Sequence, residues 1–242
     1  MGTLPFFDDS EIRRVLCVVA HPDDMEYGAS AAVARWTAQG ISVSYLLLTA
    51  GEAGMRSLSP EEVAPLLTQE QRAACQEVGV QDLTVLGLPD GMLQPDLETR
   101  RHIARQIRKT RPDLVLTQPW ELQMGWGLNH ADHRAAGLAT VDAVRDADNP
   151  WVFRELLEDE GLEPWGTDWL LVANAEPSHL IDVSGEPAEP AIRSLQAHEA
   201  YLAGLGDHPD PREMIEGMTS AAAQHSADAA ASHALGVAAY RM

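Results

Sequence analysis

Short apolar runs alternate with amphipathic segments along the first 145 residues of the chain. Four apolar runs predict strands, at 14–20, 42–48, 83–86 and 114–117. The first run has no polar face, which predicts a strand buried on both sides. Helical periodicity occupies the segments between and after them, at 26–39, 59–78, 96–109 and 135–147. This order predicts an α/β fold, a Rossmann-like, doubly wound, mostly parallel sheet with helices on both faces.

Helix boundaries carry their own signals. The segment at 59–78 opens with Ser59-Pro60-Glu61-Glu62, which supplies an N-cap serine, a proline in the first turn and a glutamate three residues after the cap. Gly40 and Gly79 follow two of the helical segments, as glycine does at many helix C-termini. These signals predict where the first two helices end and where the second begins.

The alternation stops at Asn149-Pro150. The later segments predict two strands, at 169–173 and 179–183, which pair with each other as an antiparallel edge. They also predict two helices, at 187–205 and 212–238. No repeat or low-complexity linker interrupts the chain, so we expect one domain over 1–242. Its core would span about 13–145, and a rim with a C-terminal helical extension would span about 146–242. Residues 1–12 would form an irregular arm, with Leu4, Phe6 and Phe7 against the domain.

Composition narrows the class of protein. The chain has 242 residues, 45% of them hydrophobic, and a formal net charge of −20. So acidic a chain is a poor partner for nucleic acid or an anionic membrane surface. Cys17 and Cys75 lie in an apolar run and a helical pattern, which favours buried thiols over a disulfide. No signal peptide pattern or membrane-length apolar run is evident, so we expect a cytoplasmic protein; a homo-oligomer is compatible with the sequence.

The first polar cluster interrupts the chain directly after the first predicted strand, as His21-Pro22-Asp23-Asp24. In open α/β sheets, ligands bind at the C-terminal ends of the strands. His21 and Asp24 are three residues apart across a proline-containing turn, so both could face one point, while Asp23 would face elsewhere. An alternative interpretation is that Asp23 or Asp24 only caps the following helix.

A second cluster follows the strand at 114–117 and precedes the next helix, as Asn129-His130-Ala131-Asp132-His133. Both clusters would meet above one sheet, where His21, Asp24 and His133 form a three-ligand set. Catalytic zinc sites have three protein ligands and leave a position for water. We therefore predict Zn²⁺, or another divalent transition metal, at these residues. Asp23, His130 and Asp132 would then remain as acid/base groups for metal-assisted hydrolysis.

The paired motifs H-P-D-D and H-x-D-H resemble those of the LmbE-like (PIG-L) zinc deacetylases. That family includes N-acetylglucosaminyl-phosphatidylinositol deacetylases and the deacetylases and amidases of mycothiol and bacillithiol metabolism. The resemblance covers about residues 13–145 and includes 26–28, 49–54 and 89–91. The sequence departs from the family pattern at Ala29-Ser30, where two glycines are usual, and at Ala131, where proline is usual. Neither departure replaces a predicted ligand.

The resemblance implies a hydrolase that removes an N-acyl group, normally N-acetyl, from a small amino sugar or sugar conjugate. Asp23 would be the general base, His130 would stabilise the oxyanion, and Asp132 would orient His130 and favour its charged form. Two alternatives stay open: an amidase acting on a thiol-cofactor conjugate, and a non-catalytic metal or ligand binder. A dinucleotide-binding domain is disfavoured, because no G-x-G-x-x-G follows the first strand.

Residues that would contact the substrate are less well defined by the sequence. Two glycines flank Glu52 in the 51–54 loop, where the backbone could approach a ligand or simply turn. Trp120 and Trp126 lie in the 118–129 loop, where they could stack on a sugar or cover the core. The full set of predicted substrate residues is Glu52, Arg56, Asp90, Trp120, Trp126 and His198.

Overall fold

The structure is a computed structural model, which describes residues 3–125, 127–185 and 187–242. Its strands are β1 Arg14–Val19, β2 Ser42–Leu47, β3 Asp82–Val85, β4 Leu114–Thr117, β5 Gln123–Met124, β6 Gly127–Leu128, β7 Trp169–Ala173, β8 His179–Asp182 and β9 Ala234–Arg241. Its helices are α1 Asp24–Gly28, α2 Ser30–Ala38, α3 Pro60–Glu77, α4 Leu97–Thr110, α5 Ala131–Asp148, α6 Arg154–Glu158, α7 Ala188–Gln196, α8 Glu199–Leu205 and α9 Pro211–Ala223.

Seven strands form the main sheet in the order β3-β2-β1-β4-β7-β9-β8. The first five are parallel, and β9 runs antiparallel to both of its neighbours. Strand β1 pairs with β2 on one side and with β4 on the other, so the winding direction reverses between β1 and β4. A crevice opens at such a switch point beyond the C-terminal ends of the strands. The predicted doubly wound, mostly parallel sheet is confirmed.

Both faces of the sheet are buried. On one face, Cys17 and Val19 of β1 pack with α2, including the fully buried Trp36. On the other face, Leu16 and Val18 of β1 pack with side chains of α4 and α5. Burial on both sides explains why the sequence of β1 is continuously apolar after Arg14 rather than alternating.

The capping residues at the start of α3 and the glycines after α2 and α3 behave as the sequence predicts, but the first helical segment is interrupted. Ser59 and Glu62 form a complete capping box at the start of α3, and Gly40 and Gly79 both adopt positive φ after α2 and α3. The single helix predicted over 26–39 is wrong, because the chain breaks at Ala29 into α1 and α2. The short α1 is therefore a separate turn that carries the first polar cluster.

Helix α5 lies close to the end of β4 because residue 137 is glycine. A Cβ at Gly137 would lie 2.5 Å from the backbone oxygen of Gln118. Such a contact is sterically excluded, so any larger residue would push α5 away from the 118–120 segment. This close approach brings the second polar cluster, at the start of α5, over the C-terminal end of the sheet.

The last third of the chain differs most from the prediction. The helix predicted over 212–238 is wrong beyond α9, because residues 234–241 form β9. The predicted direct pairing of β7 with β8 is also wrong, since β9 lies between them and pairs with both. The helix predicted at 187–205 is divided into α7 and α8, with His198 at the division.

Several peripheral predictions are confirmed. The arm contacts the domain through bridges of Leu4 with Ser226 and of Phe6 with Leu180, and Phe7 is buried. Both cysteines are buried and free. Among the described residues, no helix is both long and apolar enough to cross a membrane.

Candidate active site

The two polar clusters meet in the crevice between β1 and β4. A cavity of about 790 Å³ opens there and is lined on one side by six acidic and histidine side chains: His21, Asp23, Asp24, Asp90, His130 and His133. The last third of the chain also contributes to the lining, through Ala173, Asn174, Tyr201 and Met218. The fold therefore places both predicted clusters in one cavity.

Asp24 lies between two histidines. Its Oδ1 is 3.0 Å from His133 Nε2, and its Oδ2 is 3.4 Å from His21 Nδ1. The backbone N–H of His21 also donates to Asp24 Oδ2, at 2.7 Å. Burial raises the pKa of Asp24, but the hydrogen bonds from His133 and His21 outweigh burial and hold it well below its usual value. Asp24 is therefore a carboxylate at neutral pH.

His21 faces two further aspartates through its other ring nitrogen. Its Nε2 is 3.1 Å from Asp90 Oδ1 and 3.4 Å from Asp132 Oδ2. Burial lowers the pKa of His21, but its hydrogen bonds to Asp132, Asp24 and Asp90 outweigh burial and raise it to about 12. The neighbourhood of His21 thus carries an excess of negative charge that favours a cation.

The donor set fits a divalent metal ion. One ring nitrogen from each of His21, His130 and His133 lies within 4.8 Å of the others, and Asp24 contacts two of these three rings. Imidazole and carboxylate are the usual ligands of zinc and its neighbours. In addition, the carboxylates beyond His21 Nε2 resemble the outer carboxylates that orient metal-bound histidines. The cluster can therefore bind a metal.

Asp23 stands apart from that cluster. It occupies the N-cap position of α1 but makes no side-chain cap hydrogen bond, and its φ is 80°. Its own N–H donates to Gln71 Oε1 at 2.9 Å. Burial, reinforced by the charge of Asp24, raises the pKa of Asp23 well above its usual value. The capping interpretation of Asp23 is thereby disfavoured, and its carboxyl group is free to exchange a proton in the cavity.

Asp132 does not orient His130 through its carboxylate as expected. The Asp132 carboxylate instead accepts from the N–H groups of Gly91, at 2.7 Å, and Leu93, at 3.2 Å, and contacts His21. Only the backbone N–H of Asp132 reaches His130, donating to Nδ1 at 3.3 Å. The expectation of a carboxylate-held His130 fails because the residue starts a helix and its side chain turns toward the 91–93 backbone.

His130 is accordingly not stabilised as a cation. Burial and the positive charges of His21 and His133 lower its pKa, and these effects exceed the opposing charge of Asp132. With Nδ1 accepting a hydrogen bond, the neutral ring carries its proton on Nε2. The lowered pKa of His130 favours a neutral ring over the expected charged one, and the neutral ring can still donate a hydrogen bond.

Of the predicted substrate residues that the structure describes, only Asp90 lines the cavity. Glu52 supports it by accepting from the Asp90 N–H at 2.8 Å. Arg56 is exposed, and Trp120 packs near Tyr240 with 6.1 Å between ring centres, outside the cavity lining. His198 is fully buried, 3.5 Å from Glu26 Oε2. Trp126 lies outside the described residues.

Sequence reasoning missed the groups behind and opposite the cluster. Tyr27, Asn174 and Tyr201 line the cavity, and Gln71 supports Asp23 from α3. Tyr27 follows the first motif closely enough to be a candidate from sequence. The others sit in ordinary helical or loop patterns, and only the tertiary fold brings them to the site.

Fold and site together define an α/β protein with a histidine and aspartate cluster that could hold a metal ion and with acid/base groups beside it. Comparison with known families agrees: residues 16–144 match PIG-L, described as GlcNAc-PI de-N-acetylase. The chain belongs to the PIG-L (LmbE-like) family.

Curated relatives are deacetylases. The diacetylchitobiose deacetylase of Thermococcus kodakarensis is 32% identical over 80% of this chain and 72% of that protein. A Bacillus subtilis relative, named "Probable N-acetyl-alpha-D-glucosaminyl L-malate deacetylase 2", is 30% identical over 79% of this chain and 84% of that protein. Both names describe the removal of acetyl groups from acetylated amino sugars or their conjugates.

Solved structures share the fold over nearly the whole chain. The N,N'-diacetylchitobiose deacetylase of Pyrococcus horikoshii has a TM-score of 0.83 at 21% identity, covering 96% of this chain and 85% of that one. GalB, the 4-carboxy-2-hydroxymuconate hydratase of Pseudomonas putida, has a TM-score of 0.71 at 17% identity, covering 95% and 97%. The fold thus supports more than one reaction, so function must be argued from the site.

Proposed function

We propose that this protein is a metal-dependent hydrolase that removes an N-acetyl group from a small amino sugar or sugar conjugate. The observation that carries the proposal is the position of Asp23, in a cavity beside the His21, Asp24 and His133 cluster, in a chain of this family. A non-catalytic metal binder would have no need of a buried acid/base group next to its ligands. A hydratase on this fold has no support from the sequence relatives.

His21, Asp24 and His133 would hold the metal, with zinc the ion that this donor set favours. Asp24 is preferred over His130 as a ligand because its two oxygens already face both of the other rings. When bound, the ion supplies Lewis acidity that activates a water molecule and polarises the acetyl carbonyl. His21 would bind through Nδ1, which leaves Nε2 to donate to Asp132 and Asp90. These carboxylates would fix the ring orientation.

Asp23 would act as the general base and then as the general acid. Its raised pKa brings the carboxyl group closer to neutral pH, where proton transfer in both directions is efficient. It takes a proton from the attacking water and returns it to the amine as the C–N bond of the amide breaks. Products are acetate and the free amino sugar.

His130 would donate a hydrogen bond from Nε2 to the acetyl oxygen as negative charge develops there. A neutral imidazole serves this role without any need for a charged form. Its position at the start of α5, partly exposed at the cavity, leaves the ring accessible to substrate.

The substrate would be an N-acetylglucosaminyl compound. The names of the two curated relatives both refer to an acetylated amino sugar. They differ in the group that is attached to this sugar. Ala173, Asn174, Tyr201 and Met218 also line the cavity and would contact the attached group. We also infer a cytoplasmic location, which the two free, buried cysteines support.

The test is release of primary amine from a panel of substrates by zinc-loaded protein. The panel includes N-acetylglucosamine, N,N'-diacetylchitobiose, N-acetylglucosaminyl malate and N-acetylglucosaminyl inositol. We expect release from at least one member and none after chelation. Absence of release from every member, with metal bound, would refute the assignment to acetylated amino sugars.

A further inference from the structure

Asp23 holds a backbone conformation that needs support. Its φ of 80° lies in the left-handed region, which residues other than glycine seldom occupy. Asp tolerates this region better than most residues, but its own side chain makes no cap hydrogen bond that would fix it there. The direction in which the Asp23 carboxyl group points therefore depends on other groups.

Gln71 supplies that support from helix α3. Its side-chain oxygen accepts the Asp23 N–H at 2.9 Å, and its side-chain nitrogen donates to Glu26 Oε1 at 3.4 Å. The Gln71 amide thus joins the backbone of Asp23 to a side chain three residues further along the chain. Gln71 is almost fully buried, so no solvent molecule would replace these bonds without cost.

Glu26 is in turn held by the last third of the chain. The hydroxyl of Ser194 on α7 lies 2.8 Å from Glu26 Oε1 and 3.1 Å from the Ala74 carbonyl oxygen, and its single proton is shared between these two acceptors. His198 Nε2 lies 3.5 Å from Glu26 Oε2, and Glu26, Ser194 and His198 are all buried. A buried carboxylate requires partners of this kind. Three separate elements therefore converge behind Asp23.

We propose that Gln71 and Glu26 are positioning residues that hold Asp23 in its left-handed conformation and aim its carboxyl group into the cavity. Gln71 acts directly on the Asp23 backbone, and Glu26, which is hydrogen-bonded to Ser194 and lies beside the buried His198 ring, keeps the Gln71 amide in place. This inference rests on the proposed role of Asp23 as the proton-transfer group. It also assigns a supporting role beside Glu26 to His198, which does not line the cavity.

The test is Gln71→Met, which keeps the side-chain volume and removes both hydrogen bonds. We expect kcat to fall by about 10–100-fold, the range seen when outer partners of functional groups are lost. KM and bound metal should stay within about twofold, because neither the substrate contacts nor the ligands change. Gln106→Met is the matched control: Gln106 is also buried, but it lies on α4 at the opposite face of the sheet. Its kcat should remain within about twofold of the unmodified protein.

A double-variant comparison separates positioning from general stabilisation. If Gln71 acts through Asp23, then Gln71→Met should change kcat by less than about twofold when Asp23→Asn is already present. An equal fall in both backgrounds would overturn the proposal, as would an unchanged kcat in the single variant. Gln71→Asn, which shortens the side chain but keeps it polar, replaces Gln71→Met with the same expectations if the latter does not fold.

A crystal structure of the Gln71→Met protein gives a readout that does not depend on activity. The proposal expects Asp23 to leave the left-handed region or its carboxyl group to turn from the cavity. An Asp23 in its original conformation would overturn the positioning role, even if the protein were inactive on every acetylated sugar. An altered Asp23 in a protein without deacetylase activity would instead count only against the proposed function.

Discussion

At the scale of single residues, the His21 ring connects Asp24 of the first polar cluster to Asp132 of the second. Its Nδ1 faces Asp24, and its Nε2 faces Asp132 and Asp90, so one ring is held from both sides by carboxylates. Asp132 is itself fixed by two backbone N–H groups of the 91–93 segment. The Asp132 carboxylate therefore contacts His21 rather than His130, and would act on the proposed metal site through His21.

This arrangement predicts the effect of Asp132→Asn. The asparagine cannot supply the charge that holds His21, so metal affinity should fall by about 10–100-fold, as for other outer carboxylates. Zinc competition with a chromogenic chelator measures the change. Asp142→Asn, which alters a half-exposed aspartate on the same helix, is the control and should bind zinc normally. Unchanged affinity in Asp132→Asn would mean that His21 does not depend on this contact.

Asp23→Asn should separate catalysis from metal binding. Loss of the proton-transfer group is expected to lower kcat by about 10²–10⁴-fold, while zinc content stays equal to that of the unmodified protein. Steady-state kinetics and metal analysis on one preparation provide both values. A variant that lost its zinc would show instead that Asp23 is a ligand and that Asp24 has the other role.

His130 leads to a prediction about pH. Its lowered pKa means that it loses its proton below the usual value of about 6.5, so it is already neutral at neutral pH. Deprotonation of His130 therefore cannot cause a loss of activity on the alkaline side. We expect His130→Gln to lower kcat by about 10²–10³-fold and to leave the alkaline limb of the kcat–pH profile in place. Displacement of that limb would show that a charged His130 takes part.

The sequence predicted the convergence of the motif residues because each follows a parallel strand, and such strands end at one edge of the sheet. It could not predict the Asp132 contacts, since they depend on where the 91–93 backbone passes. The same holds for Gln71, whose helical context resembles that of any buried polar residue. Burial and direction are tertiary properties that spacing along the chain does not contain.

At the scale of elements, β9 connects the last third of the chain to the sheet. Its sequence is rich in alanine, which favours helix in isolation. The paired edges of β7 and β8 supply hydrogen bonds along its length and override that preference. By contrast, β1 to β4 were predicted correctly because each is a short apolar run between segments of helical periodicity.

The role of β9 predicts a stability difference within one strand. Val237 is fully buried, so Val237→Thr places a hydroxyl in the core and should cost about 1–3 kcal/mol of unfolding free energy. Tyr240→Phe removes a hydroxyl from a half-exposed side chain of β9 and should change it by about 0.5 kcal/mol or less. Urea denaturation of both variants measures the difference. Equal values would contradict the central place of β9 in the sheet.

At the scale of the whole molecule, charge and shape agree with a cation-dependent site that takes a small ligand. The chain has a formal net charge of −20, and four aspartates lie in or beside the cluster. Such a field attracts divalent cations to the crevice. The C-terminal third, which the motifs do not cover, also lines the cavity, through Tyr201 of α8 and Met218 of α9. Both halves of the chain therefore contribute to one site.

The most direct test of a metal-dependent deacetylase is a zinc titration of chelator-treated protein, followed by acetate release from N,N'-diacetylchitobiose or the best substrate of the panel. Activity should be absent without metal and should rise with added zinc until about one equivalent per chain is bound. His133→Ala, which lacks one proposed ligand, should gain little activity over the same range. Full activity in the metal-free protein, or the same saturation in His133→Ala, would contradict the account.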